Sequence, residues 1–356
     1  MEYRERKEVT PEAAVILWQA SRLDLSEDYE RAPEILKVHG SVIGTLGNFS
    51  ASIGKAKSKK TFNVSAIVAG CICPAGAEVD TLGIQITANG RHKAVLLYDT
   101  EQSEVQLFKN VSNLLARAKQ PDKPDELKAF CLTGMSRKER LNAIVQSMDK
   151  FYYQYGGIQL VVIDGIADLV KSANDEAESV AVIDELYRLA GIYNTCILCV
   201  LHFVPNGLKL RGHLGSELQR KAATILSIEK DDEPAQSVVK ALKVRDGSPL
   251  DVPLMLFAWD KEAGMHVYKG EKPREEKEKR KERELVNVAH DIFGRQTRIT
   301  YIDLCEQLQQ VLDIKERTAK SYIRFMRERD IITKDTANQS CFVIGSYHLQ
   351  RNASCP

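Results

Sequence analysis

Apolar positions between residues 40 and 268 follow two alternating rhythms. Ala94–Asp99, Ala129–Thr133, Leu160–Asp164 and Thr195–Leu201 are almost continuously hydrophobic, the mark of strands covered on both faces. Between them, Phe62–Ala69 and onward, Glu104–Lys119, Arg137–Tyr155 and Ala177–Tyr193 show helical spacing. With a further strand at Val42–Gly47, this alternation predicts an α/β fold built on a mainly parallel sheet covered by helices. The segments Ala223–Glu229, Ser237–Val244, Leu254–Ala258 and Met265–Lys269 instead follow one another through tight turns such as Arg245-Asp246-Gly247. The last part of the sheet is therefore expected to be antiparallel.

Both ends of the chain depart from this rhythm. Thr10, Pro11 and Glu12 supply an N-cap, an N1 proline and an early acid, predicting a helix through Gln19 within an adaptor segment, residues 1–34. Residues 35–269 form the α/β domain. Residues 270–283, GEKPREEKEKRKER, offer nothing to bury and predict a linker or a solvated helix. Within 284–356, helical spacing at Glu284–Gly294, Thr300–Leu312 and Lys315–Arg329 precedes two β-prone runs, Ile331–Lys334 and Cys341–Ile344, with Asn338 between them. Three helices and a hairpin make a second, small domain.

Composition narrows the function classes. The chain has 356 residues, 44% hydrophobic and 28% charged, with a net charge of +1. An ordinary globular protein of about two domains follows, and any basic surface has to be local. No apolar run reaches the roughly 18 residues of a membrane helix, and the start lacks a signal peptide, so a cytoplasmic protein without a membrane partner is expected. The eight cysteines are scattered, and the close pairs Cys71/Cys73 and Cys196/Cys199 lie in apolar runs without partners at zinc spacing. They read as structural thiols.

The candidate chemistry begins at Gly54-Lys55-Ala56-Lys57-Ser58-Lys59-Lys60-Thr61, which follows a strand and opens a helix. It matches the phosphate-loop pattern G-x-x-x-x-G-K-[ST] except that Lys59 replaces the second glycine. In such a loop, backbone N–H groups and the helix N-terminus surround phosphates, the lysine neutralises them and the hydroxyl holds Mg²⁺. Lys60 and Thr61 take those positions; a merely solvated basic loop is the plain alternative. Asp164, ending a buried strand, is placed to orient Mg²⁺ and its waters. Asp99 and Glu101 bring further carboxylates to a strand end, where open α/β sheets bind ligands.

The series GKAKSKKT, LLYDTEQS, LVVIDGIADL and CVLHFVPNG resembles the RecA-like P-loop NTPase superfamily over roughly residues 35–268, in particular the hexameric-helicase branch of RepA and DnaB-type proteins. More closely, the chain resembles RecA-like ATPases encoded on bacterial mobilisable elements and transposons. The resemblance implies ATP and Mg²⁺ as cofactors, Glu101 as the group polarising the attacking water, and His202 as a γ-phosphate sensor. It also implies that Lys243 and Arg245, in a K-x-R-x-G strand end, reach the nucleotide of a neighbouring subunit, with Arg211 as a competitor. A homo-oligomeric ring or filament, such as a hexamer, follows.

Lys315–Arg329 carries six basic and two acidic residues. Arg317, Lys320, Arg324 and Arg327 fall at i, i+3, i+7 and i+10 on one helix face, opposite Ala319, Tyr322/Ile323 and Met326. With the preceding helix and following hairpin, the pattern resembles a winged helix-turn-helix and implies DNA as partner. The expected activity is thus a DNA-associated ATPase, a helicase or motor in replication or mobilisation of a genetic element. An ATP-gated DNA-binding regulator and a degenerate nucleotide-binding scaffold are the alternatives.

Overall fold

The computed structural model describes residues 22–346 except 24, 27, 56, 203–211, 232–234, 273 and 295. The expected helix at Thr10–Gln19 lies outside the described residues, as do Ala56 and Arg211. The central element is a nine-stranded sheet in the order β12-β11-β10-β9-β3-β8-β7-β5-β6. Its parallel part comprises β3 (Asn48–Gly54), β5 (Ala94–Asp99), β6 (Leu127–Cys131), β7 (Ile158–Asp164), β8 (Cys196–His202) and β9 (Ile225–Lys230). Every residue of β5 and β7 is buried, as continuous aliphatic runs require when both faces are covered. The antiparallel extension is β9 with β10 (Gln236–Lys243), β11 (Leu254–Asp260) and β12 (Met265–Lys272). A mainly parallel α/β core ending in antiparallel strands is what the apolar rhythm predicts.

Helices α1 (Lys60–Ile72), α2 (Glu104–Arg117), α3 (Arg137–Tyr155), α4 (Glu176–Ile192) and α5 (Gly212–Lys221) belong to this core. Their starts are written locally. Ser103 Oγ accepts from Gln106 N at 3.4 Å, Ser136 and Glu139 form a capping box, and Asp175 accepts from Glu178 N at 3.0 Å. Two apolar clusters fill the faces of the sheet: one joins α1 and α2 to Val95, Val162 and Val200, the other joins α3 and α4 to Leu96, Val161 and Ile197. Alternate residues of each strand thus serve opposite faces.

Several expectations are corrected. Val42–Gly47 is not one strand leading to the loop: β2 (Ser41–Thr45) ends, Gly47 turns at φ 71°, and β3 starts afresh. β2 pairs antiparallel with β1 (Glu34–Val38), which pairs with β4 (Gln85–Ile86) in a small separate sheet. Of the two readings of residues 270–283, linker or helix, the helical one describes most of the stretch. β12 runs to Lys272, and one helix, α6 (Arg274–Phe293), merges the charged stretch with the predicted helix at Glu284–Gly294.

The C-terminal residues gather their own apolar cluster, including Leu285, Ile292, Leu304, Leu308, Ala319, Ile323, Met326, Ile332 and Phe342. It is built from the end of α6, α7 (Tyr301–Leu312), α8 (Glu316–Glu328) and a three-stranded sheet of β13 (Ile299–Thr300), β15 (Cys341–Ile344) and β14 (Ile332–Lys334). Among the described residues, all cysteines are free thiols, and no helix is long and apolar enough to cross a membrane.

Candidate functional site

Parallel pairing puts the carboxyl ends of β3, β5, β7 and β8 on one edge of the sheet. Gly54 is in register with His202, and Asp99 with Asp164. The loop Gly54–Thr61 therefore leaves β3 beside the ends of three other strands. Gly54 itself must lack a side chain, because a Cβ there would collide with Ile228 O and Ser58 Oγ. Lys57 and Lys59 both adopt left-handed backbone, φ 61° and 76°. Lys59 thus stands in the very conformation that makes glycine usual at this position, and it bears the associated strain.

Lys59 is also the N-cap of α1, with no side-chain cap bond and no acid in the first turn. The N–H groups of Phe62 and Asn63 donate to Lys59 O, and no side chain competes for the positive dipole end of the helix, which is left facing an anion. Ser58 Oγ is buried in the loop without a hydrogen-bond partner among the described residues. The donors suit an anion such as a phosphate.

The side chains expected to act together converge. Lys60 Nζ donates to the carbonyls of Gly54 and Lys55, each at 3.0 Å, and lies 3.0 Å from His202 Nδ1. His202 Nε2 is 3.1 Å from Glu101 Oε2. Thr61 Oγ1 donates to Asp164 Oδ2 at 3.4 Å. One chain of contacts thus runs from the loop lysine through the imidazole to Glu101, beside a hydroxyl–carboxylate pair.

Electrostatics mark the same place. Burial lowers the Lys60 pKa, against the opposing pull of Asp164 and Glu101. Burial, then Asp99 and Glu101, pushes Asp164 up to about 7. Glu101 goes the other way, held below its usual value chiefly by the His202 hydrogen bond. Crowded carboxylates beside a hydroxyl favour a divalent cation, and the donor set of Thr61 and Asp164 suits Mg²⁺, which takes few protein ligands and completes its shell with phosphate and water. Among the described residues no cluster of three or more His, Cys, Asp or Glu forms a self-sufficient metal cage.

Asp99 has a separate structural duty: its Oδ1 accepts from the backbone N–H groups of Glu101 and Gln102 at 2.9 and 2.8 Å, while Ser103 caps α2. It fixes the turn that presents Glu101. Thr100, which sequence reasoning passed over, joins the two strand ends; its hydroxyl donates to Gly165 O at 2.9 Å and meets Asp168 Oδ2 at 3.0 Å. Arg140 lies 3.7 Å from Asp168 and donates to Leu132 O. The recurrence of acids in IDGIADL was the available signal.

Lys243 and Arg245 are not brought to this edge. β10 runs antiparallel, pairing Lys243 with Ile225 at the start of β9, and Arg245 donates to Asn48 Oδ1 at 2.9 Å at the start of β3. Lys243 Nζ donates to the carbonyls of Gln219 and Arg220. Both cations therefore lie at the amino end of the parallel strands, a full strand length from the loop of their own chain.

On α8, Arg317, Lys320, Arg324 and Arg327 are exposed, and Ala319, Ile323 and Met326 are buried. The ridge is less cationic than its spacing suggests, because Lys320 pairs with Glu316 at 2.6 Å and Arg324 with Glu328 at 2.8 Å.

No curated protein matches the chain. Residues 21–206 match the family described as "AAA domain". That stretch spans β3, the loop, the Glu101 turn, Asp164 and His202, and it covers more than half of the sequence, so the protein belongs to this family of P-loop ATPases.

Proposed function

We propose that the protein is a DNA-associated ATPase that works as a head-to-tail ring or filament in the cytoplasm, with residues 35–269 as the RecA-like motor and 284–356 as a winged-helix DNA-binding domain and tail. The observation that carries this reading is the convergence of Lys60, Thr61, Asp164, Glu101 and His202 on one sheet edge around an anion-ready helix terminus. Lys60 and the loop N–H groups hold the phosphates of ATP. Thr61 and Asp164 hold Mg²⁺, which neutralises charge on the phosphate oxygens when bound. Glu101 orients a water molecule and draws its proton as the oxygen attacks the γ-phosphorus and the bridge to ADP breaks. His202, between Lys60 and Glu101, senses whether the γ-phosphate is present.

Lys243 and Arg245 serve the neighbouring subunit. Their distance from the loop of their own chain suits a heterologous interface, in which the amino edge of one sheet meets the carboxyl edge of the next. Arg317, Lys320, Arg324 and Arg327 engage DNA phosphates, Lys320 and Arg324 exchanging Glu316 and Glu328 for phosphate.

The test is ATP turnover by the full chain with no DNA, single-stranded DNA and duplex DNA, with assembly state followed in parallel. We expect DNA to stimulate turnover of an oligomer, with a salt slope reduced by about one for each basic residue replaced on α8. DNA-independent turnover by a monomer refutes the proposal. Stimulation without strand separation favours an ATP-gated regulator over a helicase.

A further inference from the structure

Thr100, buried between Asp99 and Glu101 at the end of β5, sits in a dense set of oxygens. Its backbone N–H donates to Asp164 O at 3.0 Å. Its hydroxyl faces three acceptors: Gly165 O at 2.9 Å, Asp168 Oδ2 at 3.0 Å and Asp164 O at 3.1 Å. One hydroxyl proton cannot serve all three at once. Arg140, on α3, brings further donors and the opposing charge. Its Nη1 lies 3.7 Å from Asp168 Oδ2 and donates to Asp168 O at 3.3 Å, while Nε donates to Leu132 O at 3.0 Å and Nη2 to Thr133 O at 3.3 Å. A planar guanidinium holds several oxygens in fixed directions, which an ammonium does not.

These carbonyls belong to the segments that follow β6 and β7, the two strands flanking β5. Leu132 N also donates to Asp99 O at 2.8 Å. The end of β5 is thus gripped on one side by Leu132 and on the other by Asp164 and Gly165, and Arg140 joins the two grips. The strands need no such brace for themselves, because β5 and β7 are already paired up to Asp99 and Asp164. What lies beyond the last pair is the Glu101 turn. The fit there is tight: a Cβ on Gly165 would overlap Thr100 Oγ1 and press on Glu101 Cγ. The backbone after Asp164 therefore forms a wall against the root of the Glu101 side chain, whose tip meets His202.

We propose that Thr100, Asp168 and Arg140 are positioning residues for hydrolysis: they lock the end of β5 to the segments after β6 and β7 and so aim the Glu101 carboxylate at the attacking water. This rests on the reading of Glu101 as the group that activates that water. None of the three touches the nucleotide in this scheme, so they act on the rate of hydrolysis and leave the binding of ATP alone.

The test is single-turnover hydrolysis and ATP affinity of the full chain, measured for Thr100→Val, Thr100→Ser, Arg140→Met and Arg140→Lys, with Glu101→Gln alone and combined with Thr100→Val. Thr100→Val keeps the shape and removes the hydroxyl. It is expected to slow hydrolysis about 10- to 100-fold at unchanged ATP affinity, since misplacing a catalytic group by about 1 Å costs about 100-fold. Thr100→Ser returns the hydroxyl and most of the rate. Arg140→Met, which leaves Thr100 in place, shows the same loss, and Arg140→Lys stays slow because it keeps the charge without the fork. On Glu101→Gln, Thr100→Val has no further effect, because no carboxylate remains to be aimed. A wild-type rate in Thr100→Val or Arg140→Met, a loss carried by ATP affinity, a Thr100→Ser as slow as Thr100→Val, or a full second loss on Glu101→Gln overturns the positioning role. A wild-type rate in Glu101→Gln alone overturns instead the reading of Glu101.

Discussion

Asp164→Asn measures the electrostatic load on the candidate catalytic edge. In the metal-free fold, burial and the neighbouring Asp99 and Glu101 move the Asp164 pKa from 3.8 to about 7, so the folded state prefers the protonated acid. The carboxyl costs nothing below pH 3.8, where both states are protonated. Its cost grows as pH rises from about 4 to 7 and then levels off. Each pH unit over which only the unfolded chain is ionised costs about 1.4 kcal/mol, so the cost accumulated between pH 5 and pH 8 is on the order of 3 kcal/mol. Asparagine keeps the size and the oxygen facing Thr61 and never ionises. In urea titrations of nucleotide-free protein in chelator, Asp164→Asn should gain on the order of 3 kcal/mol over wild type between pH 5 and pH 8. Mg²⁺ with ADP should narrow the gap by stabilising only the wild type. Parallel pH profiles for the two proteins would refute the reasoning.

Three further outcomes are expected. Glu101→Gln should bind ATP normally and lose about 10²- to 10⁴-fold in single-turnover hydrolysis; a wild-type rate moves the role to another group. Arg245→Ala should bind ATP yet hydrolyse it about 10³- to 10⁵-fold more slowly, and mixing it with Glu101→Gln should restore part of the activity; inactivity despite demonstrated subunit exchange rules out catalysis in trans. Lys59→Gly should change stability by less than about 1 kcal/mol, because relief of the left-handed backbone is offset by entropy gained in the unfolded chain, whereas Lys59→Val should lose more than about 1 kcal/mol in the same denaturation assay.

Much of the core was legible because its signals are local. β5 and β7 are unbroken aliphatic runs, and α2 and α3 begin at Ser103 and Ser136. The placement of Asp164 and Glu101 at one edge of the sheet was readable because each ends or follows such a strand. Features set by pairing across the chain were hidden. β1 is completed by β4, about 50 residues later, and the six residues of Val42–Gly47 conceal a turn that only tertiary contacts impose. α5 was missed because Gly212 and Gly215 mask a helix whose Leu214 and Leu218 are buried one turn apart. The helical path of 274–283 carries no apolar period to announce it. For Lys243 and Arg245, the expected antiparallel direction of β10 was readable, while the strand it pairs with, and so the neighbours of the two cations at the starts of β9 and β3, was not.

The position of β3 in the sheet also dictates an order of assembly. The strand that carries the phosphate loop is flanked by β8 and β9, whose residues 196–202 and 225–230 emerge from the ribosome long after residues 48–54. Contacts so distant in sequence are slow to close, and β3 has no nearer neighbour in this sheet to hold it meanwhile. A nascent chain released before residue 196 contains the complete Gly54–Thr61 loop but neither strand that shapes it. The shape of the loop is therefore a late acquisition during synthesis, and it reports that β8 and β9 have joined β3.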